Sequence, residues 1–364
     1  MNLPSIKNLD VRGKRALTRV DFNVLFNDGR VEDLYRISKT IPTIEYLRDR
    51  GARTILISHL SSGKNGSLSA IAEYLNQNSS VPVKFIKQKS LREIKKETDE
   101  MKDGDVVLIE NLRLFPGEEN NDPRFAEELA KLGDVYVNDA FSSSHRGHAS
   151  IVGLPKYLPS YIGFLFEKEM EGFRSVFEPS HPFLFILGGV KIETKLSVLD
   201  KFLEIADSVF VGGALANSFL KAKGFDTGDS VVSEKISVEK YLGNPKMFFP
   251  VDVKKKDGKI FDIGEETIAK LLPIIKEAKF ILWNGPVGNI EERDFDKGTK
   301  VLAQAVLDSG AKAVVGGGDT VAVLNQMGIL DKFSFVSTAG GAMLEFLATG
   351  TLPGIEAIKI ASAV

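Results

Sequence analysis

Short, unbroken apolar runs recur along this chain, each followed by a segment with helical spacing. No other feature limits the fold as much. The runs Ala16–Val20, Thr54–Ser58, Val106–Ile109 and Val135–Asn138 lie in the first half; Phe183–Leu187, Ser208–Val211, Phe280–Trp283, Ala313–Val315 and Phe333–Val336 lie in the second. They are rich in Val, Ile and Leu, the pattern of strands buried on both faces of a parallel sheet. Between them, Lys39–Arg50, Ser67–Gln77, Pro123–Leu132, Thr194–Ile205, Glu265–Ala278 and Asp296–Asp308 carry helical spacing. Such alternation predicts an α/β chain of doubly wound sheets. A length of 364 residues fits about two domains. The helical pattern at Tyr161–Phe177 is bracketed by Pro159, Pro179 and Pro182, and predicts the element that joins them. The expected architecture is therefore two doubly wound parallel-sheet domains joined by a long helix, with a substrate cleft between them.

Composition removes several functions. Lys and Arg number 47 against 49 Asp and Glu, so no bulk charge would hold a nucleic acid or an anionic membrane. Cysteine is absent, which removes disulfides, thiolate nucleophiles and thiolate metal sites. Four histidines are too few for a His-rich metal centre. No apolar run approaches the ~18 residues of a membrane span, and the start MNLPSIKNLD lacks a signal-peptide core. A cytoplasmic protein without nucleic-acid or membrane partners is expected.

In open parallel sheets, ligands bind beyond the carboxyl ends of the strands. Five strand ends in the second half carry glycine: Gly188-Gly189, Gly212-Gly213, Asn284-Gly285-Pro286, Gly316-Gly317-Gly318-Asp319-Thr320 and Ala339-Gly340-Gly341. Glycine there lets a ligand approach the backbone, and N–H groups at the following helix starts suit phosphate oxygens. Tight strand-to-helix turns are the competing explanation for any one pair. No GxxxxGK[ST] is present, and Gly316/Gly318, the lone G-x-G, lacks the third glycine of a dinucleotide fingerprint. Lys191 and Lys195 stand four apart and share a helix face that could meet one polyphosphate. Asp319 is a candidate Mg²⁺ ligand, directly or through water, or a helix cap. First-half strands end in charge instead: Arg19 and Asp21-Phe22-Asn23, Ser58-His59, Glu110-Asn111-Leu112-Arg113, and Asn138-Asp139 leading to His145-Arg146, with Arg36 nearby. Arginines and a histidine at successive strand ends suit a small polyanion. A nucleotide-type site and a small-anion site on separate domains point to phosphoryl transfer with hinge closure.

These segments resemble the phosphoglycerate kinase family. The resemblance rests on Arg19–Val24 (RVDFNV), Glu110–Arg113 (ENLR), Val135–Phe141 with His145-Arg146 (VYVNDAF…HR), Leu187–Lys195 (LGGVKIETK), Trp283–Gly288 (WNGPVG), Gly316–Thr320 (GGGDT) and Ser337–Glu345 (STAGGAMLE). It implies reversible phosphoryl transfer between ATP and the carboxylate of 3-phosphoglycerate, with Mg²⁺ as cofactor, by a monomer. It also implies domains at 1–160 for 3-phosphoglycerate and 181–351 for the nucleotide, a joining helix at 161–180, and a tail at 352–364 returning to the first domain. Asp21, Asn23, Arg36, His59, Ser62, Arg113 and Arg146 are implied for 3-phosphoglycerate. Lys191, Lys195, Gly213, Asn284, Glu291, Gly317, Gly318, Asp319 and Thr320 are implied for the nucleotide, with Glu291 on the ribose and Asp319 on the metal. Arg36, Lys191, Lys195 and the backbone at Gly317 and Gly340 are implied for the transferring phosphoryl group.

The chain departs from the family pattern in several places. Leu25 replaces a proline. Ser62 replaces an arginine, for which Lys64 could substitute. Ala214 and Ala339 replace glycines, Asn289-Ile290 replaces Val-Phe, and a glycine is missing before Asp262-Ile263-Gly264. A binding or scaffolding relative with weak catalysis is the alternative, and another acyl-phosphate or sugar kinase a third.

Overall fold

The computed structural model describes residues 3–24, 26–27, 30–31, 34–60, 66–88, 90–190, 195–233 and 237–362. Leu25, Ser62, Lys64 and Lys191 lie outside the described residues. The chain divides into two units: Met1–Met170 with Thr351–Val364, and Glu171–Gly350.

In the first unit, β1 (Arg15–Arg19), β2 (Arg53–Ile57), β3 (Val83–Ile86), β4 (Val106–Ile109), β5 (Val135–Asn138) and β6 (Ser160–Ile162) form one parallel sheet. Its order is β3-β4-β2-β1-β5-β6. Successive strand residues supply opposite cores, as a pleat requires. Ile55, Ile57, Val107 and Ile109 pack on one face with Ile94 and Leu129; Leu56, Val106 and Leu108 pack on the other with Ile37, Ile71 and Leu75. Both faces are covered, which explains why these strands lack polar alternation.

In the second unit, β7 (Phe183–Leu187), β8 (Ser208–Val211), β9 (Met247–Phe248), β10 (Phe280–Asn284), β11 (Lys312–Gly316) and β12 (Phe335–Val336) form another parallel sheet. The order is β9-β8-β7-β10-β11-β12, that of the dinucleotide-type doubly wound fold. Strand order reverses between β7 and β10 here, and between β1 and β5 in the first unit. Those two crevices are where such sheets bind ligands.

Two local expectations need correction. The helix expected from Tyr161 begins at Phe164 and runs to Phe177, while Tyr161 and Ile162 pair with Val137 and Asn138 in β6. The cause is Asp139, whose Oδ1 accepts the N–H groups of Leu165 at 2.9 Å and Phe166 at 3.2 Å and so fixes the first turn there. The last strand is only Phe335–Val336, because a 3₁₀ turn at Leu330–Lys332 uses the Phe333 N–H. An antiparallel hairpin at Val253–Lys256 and Lys259–Ile263 was not anticipated. Its turn, Asp257-Gly258, has φ of +48° and +74°, the conformation that an Asp-Gly pair favours.

The tail helix Pro353–Ser362 belongs to the first unit, where the Gly354 N–H donates to the Ser144 carbonyl at 2.8 Å. No helix among the described residues is long and apolar enough to cross a membrane.

Candidate functional site

The first unit gathers cations at the carboxyl ends of β1, β2, β4 and β5. Arg19, at the end of β1, is fully buried; its Nε donates to Ser150 Oγ at 3.0 Å and its Nη1 to the Val20 carbonyl at 2.6 Å. Its Nη2 lies 2.8 Å from His59 Nδ1, and Arg146 Nη1 lies 3.0 Å from His59 Nε2. Burial, followed by Arg19, Arg146 and Arg113, drives the His59 pKa far down, so the ring is neutral. A neutral imidazole has one acceptor nitrogen. Arg19 and Arg146 both approach this one ring, so only one of them can donate to it and the other guanidinium faces a ring N–H. An oxyanion would accept from both.

The same excess of positive charge acts on the neighbours. The Arg146 pKa is lowered by burial, then by Arg113 and Arg19. His148 is pushed down to about 4 by burial, then by Arg113 and Arg146. His145 is lowered as well, by burial and then by Arg146, against a backbone contact with Ser142. Arg113 pairs with the exposed Glu119. Three of the chain's four histidines thus stand in one cationic cluster whose members destabilise one another's charge, as a preformed anion site does.

Asp21 and Arg36 pair at 3.0 Å, with Ser142 Oγ donating to the same carboxylate. Arg36 also reaches the Asn23 carbonyl at 3.3 Å. The structure thus brings Asp21, Asn23 and Arg36 together, and His59 with Arg146. Glu110 serves the loops instead: its carboxylate accepts the N–H of Leu68 at 3.0 Å and of Asn111 at 2.8 Å. Asn111 Oδ1 in turn accepts the Arg113 N–H at 3.0 Å and so helps place that arginine.

In the second unit, the switch point is built from glycine backbone. The Gly188 N–H donates to the Asn284 carbonyl at 2.8 Å, the Gly189 N–H to Pro286 at 2.8 Å, and the Gly213 N–H to Val287 at 3.0 Å. A Cβ on Gly285, whose φ is +90°, would sit 2.4 Å from the Gly188 carbonyl oxygen. One on Gly213 would sit 2.7 Å from Gly189 N. These glycines are required by loops touching one another. Gly318, Gly340 and Gly341 differ, because a Cβ there would meet nothing within 4 Å.

A cavity of about 300 Å³ opens beside these loops. Gly189, Gly213, Ala214, Glu291 and Asp319 line it, together with Asn217, Leu220, Pro250, Ile260, Phe261 and Asp262. The buried Lys195 ammonium donates to the Gly188 carbonyl oxygen. Burial lowers its pKa to about 8, against the attraction of Asp319. Asp319 and Thr320 stand in the first turn of the helix Gly318–Gln326, with Gly317 before it. Lys195, Asn284, Gly317, Gly318, Thr320 and Gly340 are not on the cavity wall. Asn284 instead directs its amide toward Met343 Sδ at 3.7 Å.

Three contributions were not anticipated: His148, the hairpin that supplies Ile260 and Phe261, and Asn217. The spacing HRGH at 145–148 and the Asp-Gly turn were the available signals for the first two. For Asn217 there was none.

The family model for phosphoglycerate kinase matches residues 6–350. A curated phosphoglycerate kinase of Herpetosiphon aurantiacus is 41% identical, covering 99% of this chain and 100% of that protein. The chain belongs to the phosphoglycerate kinase family. A curated phosphoglycerate kinase of Akkermansia muciniphila is 40% identical over 97% of both chains. Among solved structures, phosphoglycerate kinase from Pyrococcus horikoshii superposes with a TM-score of 0.88 at 31% identity, covering 99% of this chain and all of that one. The Coxiella burnetii phosphoglycerate kinase gives 0.81 at 32% identity, with 99% of both chains covered. The family and the two parallel α/β units agree with what the sequence motifs implied.

Proposed function

We propose that this chain transfers a phosphoryl group between ATP and the carboxylate of 3-phosphoglycerate, as a cytoplasmic glycolytic enzyme. The observation that carries this beyond family membership is the cation cluster around His59 in one unit, together with the glycine-walled cavity lined by Asp319, and the buried Lys195 beside Gly189, in the other. The cluster suits the phosphate of 3-phosphoglycerate, with Arg113 and Arg146 as charged donors and the His59 ring beside them. Asp21 holds Arg36 toward the Asn23 loop, a setting for the carboxylate end of the substrate.

The acceptor carboxylate is ionised at neutral pH, so no general base is needed. The work left to the protein is alignment and cationic stabilisation of the moving phosphoryl group. Lys195 is mostly protonated at pH 7 with a pKa of about 8, and we assign it to the transferring phosphate.

A divalent cation fits here only in part through protein ligands. No group of three or more His, Asp or Glu side chains among the described residues is placed to hold one. Asp319 alone would hold Mg²⁺ together with phosphate oxygens and water, the usual arrangement for nucleotide-bound Mg²⁺, where the ion neutralises phosphate charge. One chain carries both half-sites, so a monomer suffices. Closure of the two units would join the reactants and exclude water. Retention of Lys195 within electrostatic reach of Asp319 argues against a scaffold with weak catalysis.

The test is a coupled assay with 3-phosphoglycerate and ATP on the wild type, Arg146→Ala and Lys195→Ala. Arg146→Ala should raise KM for 3-phosphoglycerate at least tenfold with little change for ATP, since a charge-assisted hydrogen bond contributes about 1.5–3 kcal/mol. Lys195→Ala should lower kcat sharply while the protein stays folded. No wild-type turnover, or equal effects of Arg146→Ala on both substrates, would contradict the assignment.

A further inference from the structure

His59 lies between two guanidiniums and can accept from only one of them. The groups behind the cluster treat the two differently. Arg19 is fully buried at the end of β1, and a guanidinium does not shed its proton to escape burial. A charge so placed needs an opposite charge nearby. Glu118, itself 0% exposed, supplies it: its attraction is the strongest influence that opposes the effect of burial on Arg19. The contact runs through Ser150, in the π-helical turn Ala149–Gly153. Arg19 Nε–H donates to Ser150 Oγ at 3.0 Å. Arginine has no acceptor, so the hydroxyl hydrogen is left for Glu118, whose Oε1 accepts it at 2.5 Å. Glu118 Oε2 accepts the Ser150 N–H at 2.9 Å. The Ser150 carbonyl accepts from Tyr136 Oη at 2.7 Å, so all three polar groups of the serine are engaged. Each bond in this chain has one possible direction, and the chain ends on a carboxylate that accepts at both oxygens.

We propose that Glu118 is a positioning residue for the anion cluster: through Ser150 it holds Arg19 as the donor to His59 Nδ1, which leaves the Nε2–H and Arg146 for the substrate's phosphate. The part played by the phosphate rests on the proposed function; the state of the ring does not. Being fully buried, Glu118 touches no ligand and acts only through its neighbours. Arg19 is anchored at Nε by Ser150 and at Nη1 by the Val20 carbonyl at 2.6 Å before its Nη2 reaches the ring at 2.8 Å. Turning it away from His59 would strand a buried N–H. Arg146 is only half-buried, so it can leave the ring for a ligand or for water at little cost. Remove the carboxylate or the serine hydroxyl and Arg19 loses its anchor. Arg146 then competes for the same nitrogen lone pair, and the two donors meant for the anion turn on each other.

The experiment is ¹⁵N NMR of the full chain labelled in histidine, together with turnover kinetics, for the wild type, Glu118→Gln and Ser150→Ala. A ring nitrogen that carries hydrogen and one that accepts differ widely in shift, and the His59 signals are assigned by their loss in His59→Gln. In the wild type His59 should carry its hydrogen on Nε2. In both variants the form with hydrogen on Nδ1 should gain population. KM for 3-phosphoglycerate should rise about fivefold or more in each, with kcat and the KM for ATP changed by less than about twofold, since the contact serves binding and not the moving phosphoryl group. The double variant should do no more than the worse single one, because the two residues act in one chain. Hydrogen on Nδ1 in the wild type would overturn the proposal, as would additive effects in the double variant. So would folded variants that keep either the wild-type shifts or the wild-type KM. Should neither variant fold, the wild-type shifts decide alone: hydrogen on Nε2 supports Arg19 as the held donor, and hydrogen on Nδ1 refutes it. If the wild type does not use 3-phosphoglycerate, the proposed function fails, while the shifts still decide what Glu118 does to the ring.

Discussion

Lys195 shows how a single side chain is tuned by its surroundings. It is buried against the Gly188 carbonyl oxygen, and burial brings its pKa down to about 8. Protonated, it offers a cation to a phosphate; neutral, it does not. Nucleotide affinity should therefore weaken as pH rises from 7 to 9, with net proton uptake on binding near pH 8. Lys195→Met should abolish both the pH dependence and the uptake. Calorimetry in buffers of different ionisation enthalpy measures this, and an affinity unchanged between pH 7 and 9 would refute it. The glycines teach a different lesson. Their presence at five strand ends was plain in the sequence, but not their separate purposes. Gly188, Gly213 and Gly285 leave room for other backbone, and Gly318, Gly340 and Gly341 face open space. Only the approach of one loop to another separates the two groups, and a linear sequence does not contain it. His148 and Asn217 were missed for the same reason, because each acquires its role from residues distant in the chain.

At the scale of elements, strands covered on both faces were the most legible. Val106–Ile109, Val135–Asn138 and Phe183–Leu187 were bounded correctly from their apolar runs. Val83–Ile86 was not seen, because it is an edge strand with Lys84 exposed and so breaks the run. The start of the helix Phe164–Phe177 was also missed, since it is set by Asp139, more than twenty residues earlier. That cap predicts an unusual pH response. Burial raises the Asp139 pKa to about 7, above its unfolded value of about 3.9. The protonated form therefore contributes stability that is fully present below the unfolded pKa and is lost as pH rises through 7. Asp139→Asn keeps the Oδ1 acceptor and cannot ionise. Relative to wild type it should gain about 1 kcal/mol between pH 6 and pH 8. Asp139→Ala, which loses the cap, should cost about 1 kcal/mol at pH 6. Urea unfolding at the two pH values measures both effects. An Asp139→Asn difference that does not change with pH would show that Asp139 is ionised throughout.

The whole molecule is built on two six-stranded sheets, each with its own switch point, and one chain that leaves the first unit at Met170 and returns to it at Thr351. If each unit holds one reactant, both ligands together should compact the protein more than either alone. Small-angle scattering on the free, singly bound and doubly bound states should show the smallest radius of gyration with both present; one radius for all four states would count against closure. The central claim is that the phosphoryl group passes directly from nucleotide to substrate carboxylate. The most direct measurement follows the label from γ-³²P-ATP after one turnover with 3-phosphoglycerate. The account predicts that label appears in a hydroxylamine-sensitive acyl phosphate on 3-phosphoglycerate, with none on the protein. Label retained on the protein, or released only as inorganic phosphate, would contradict it.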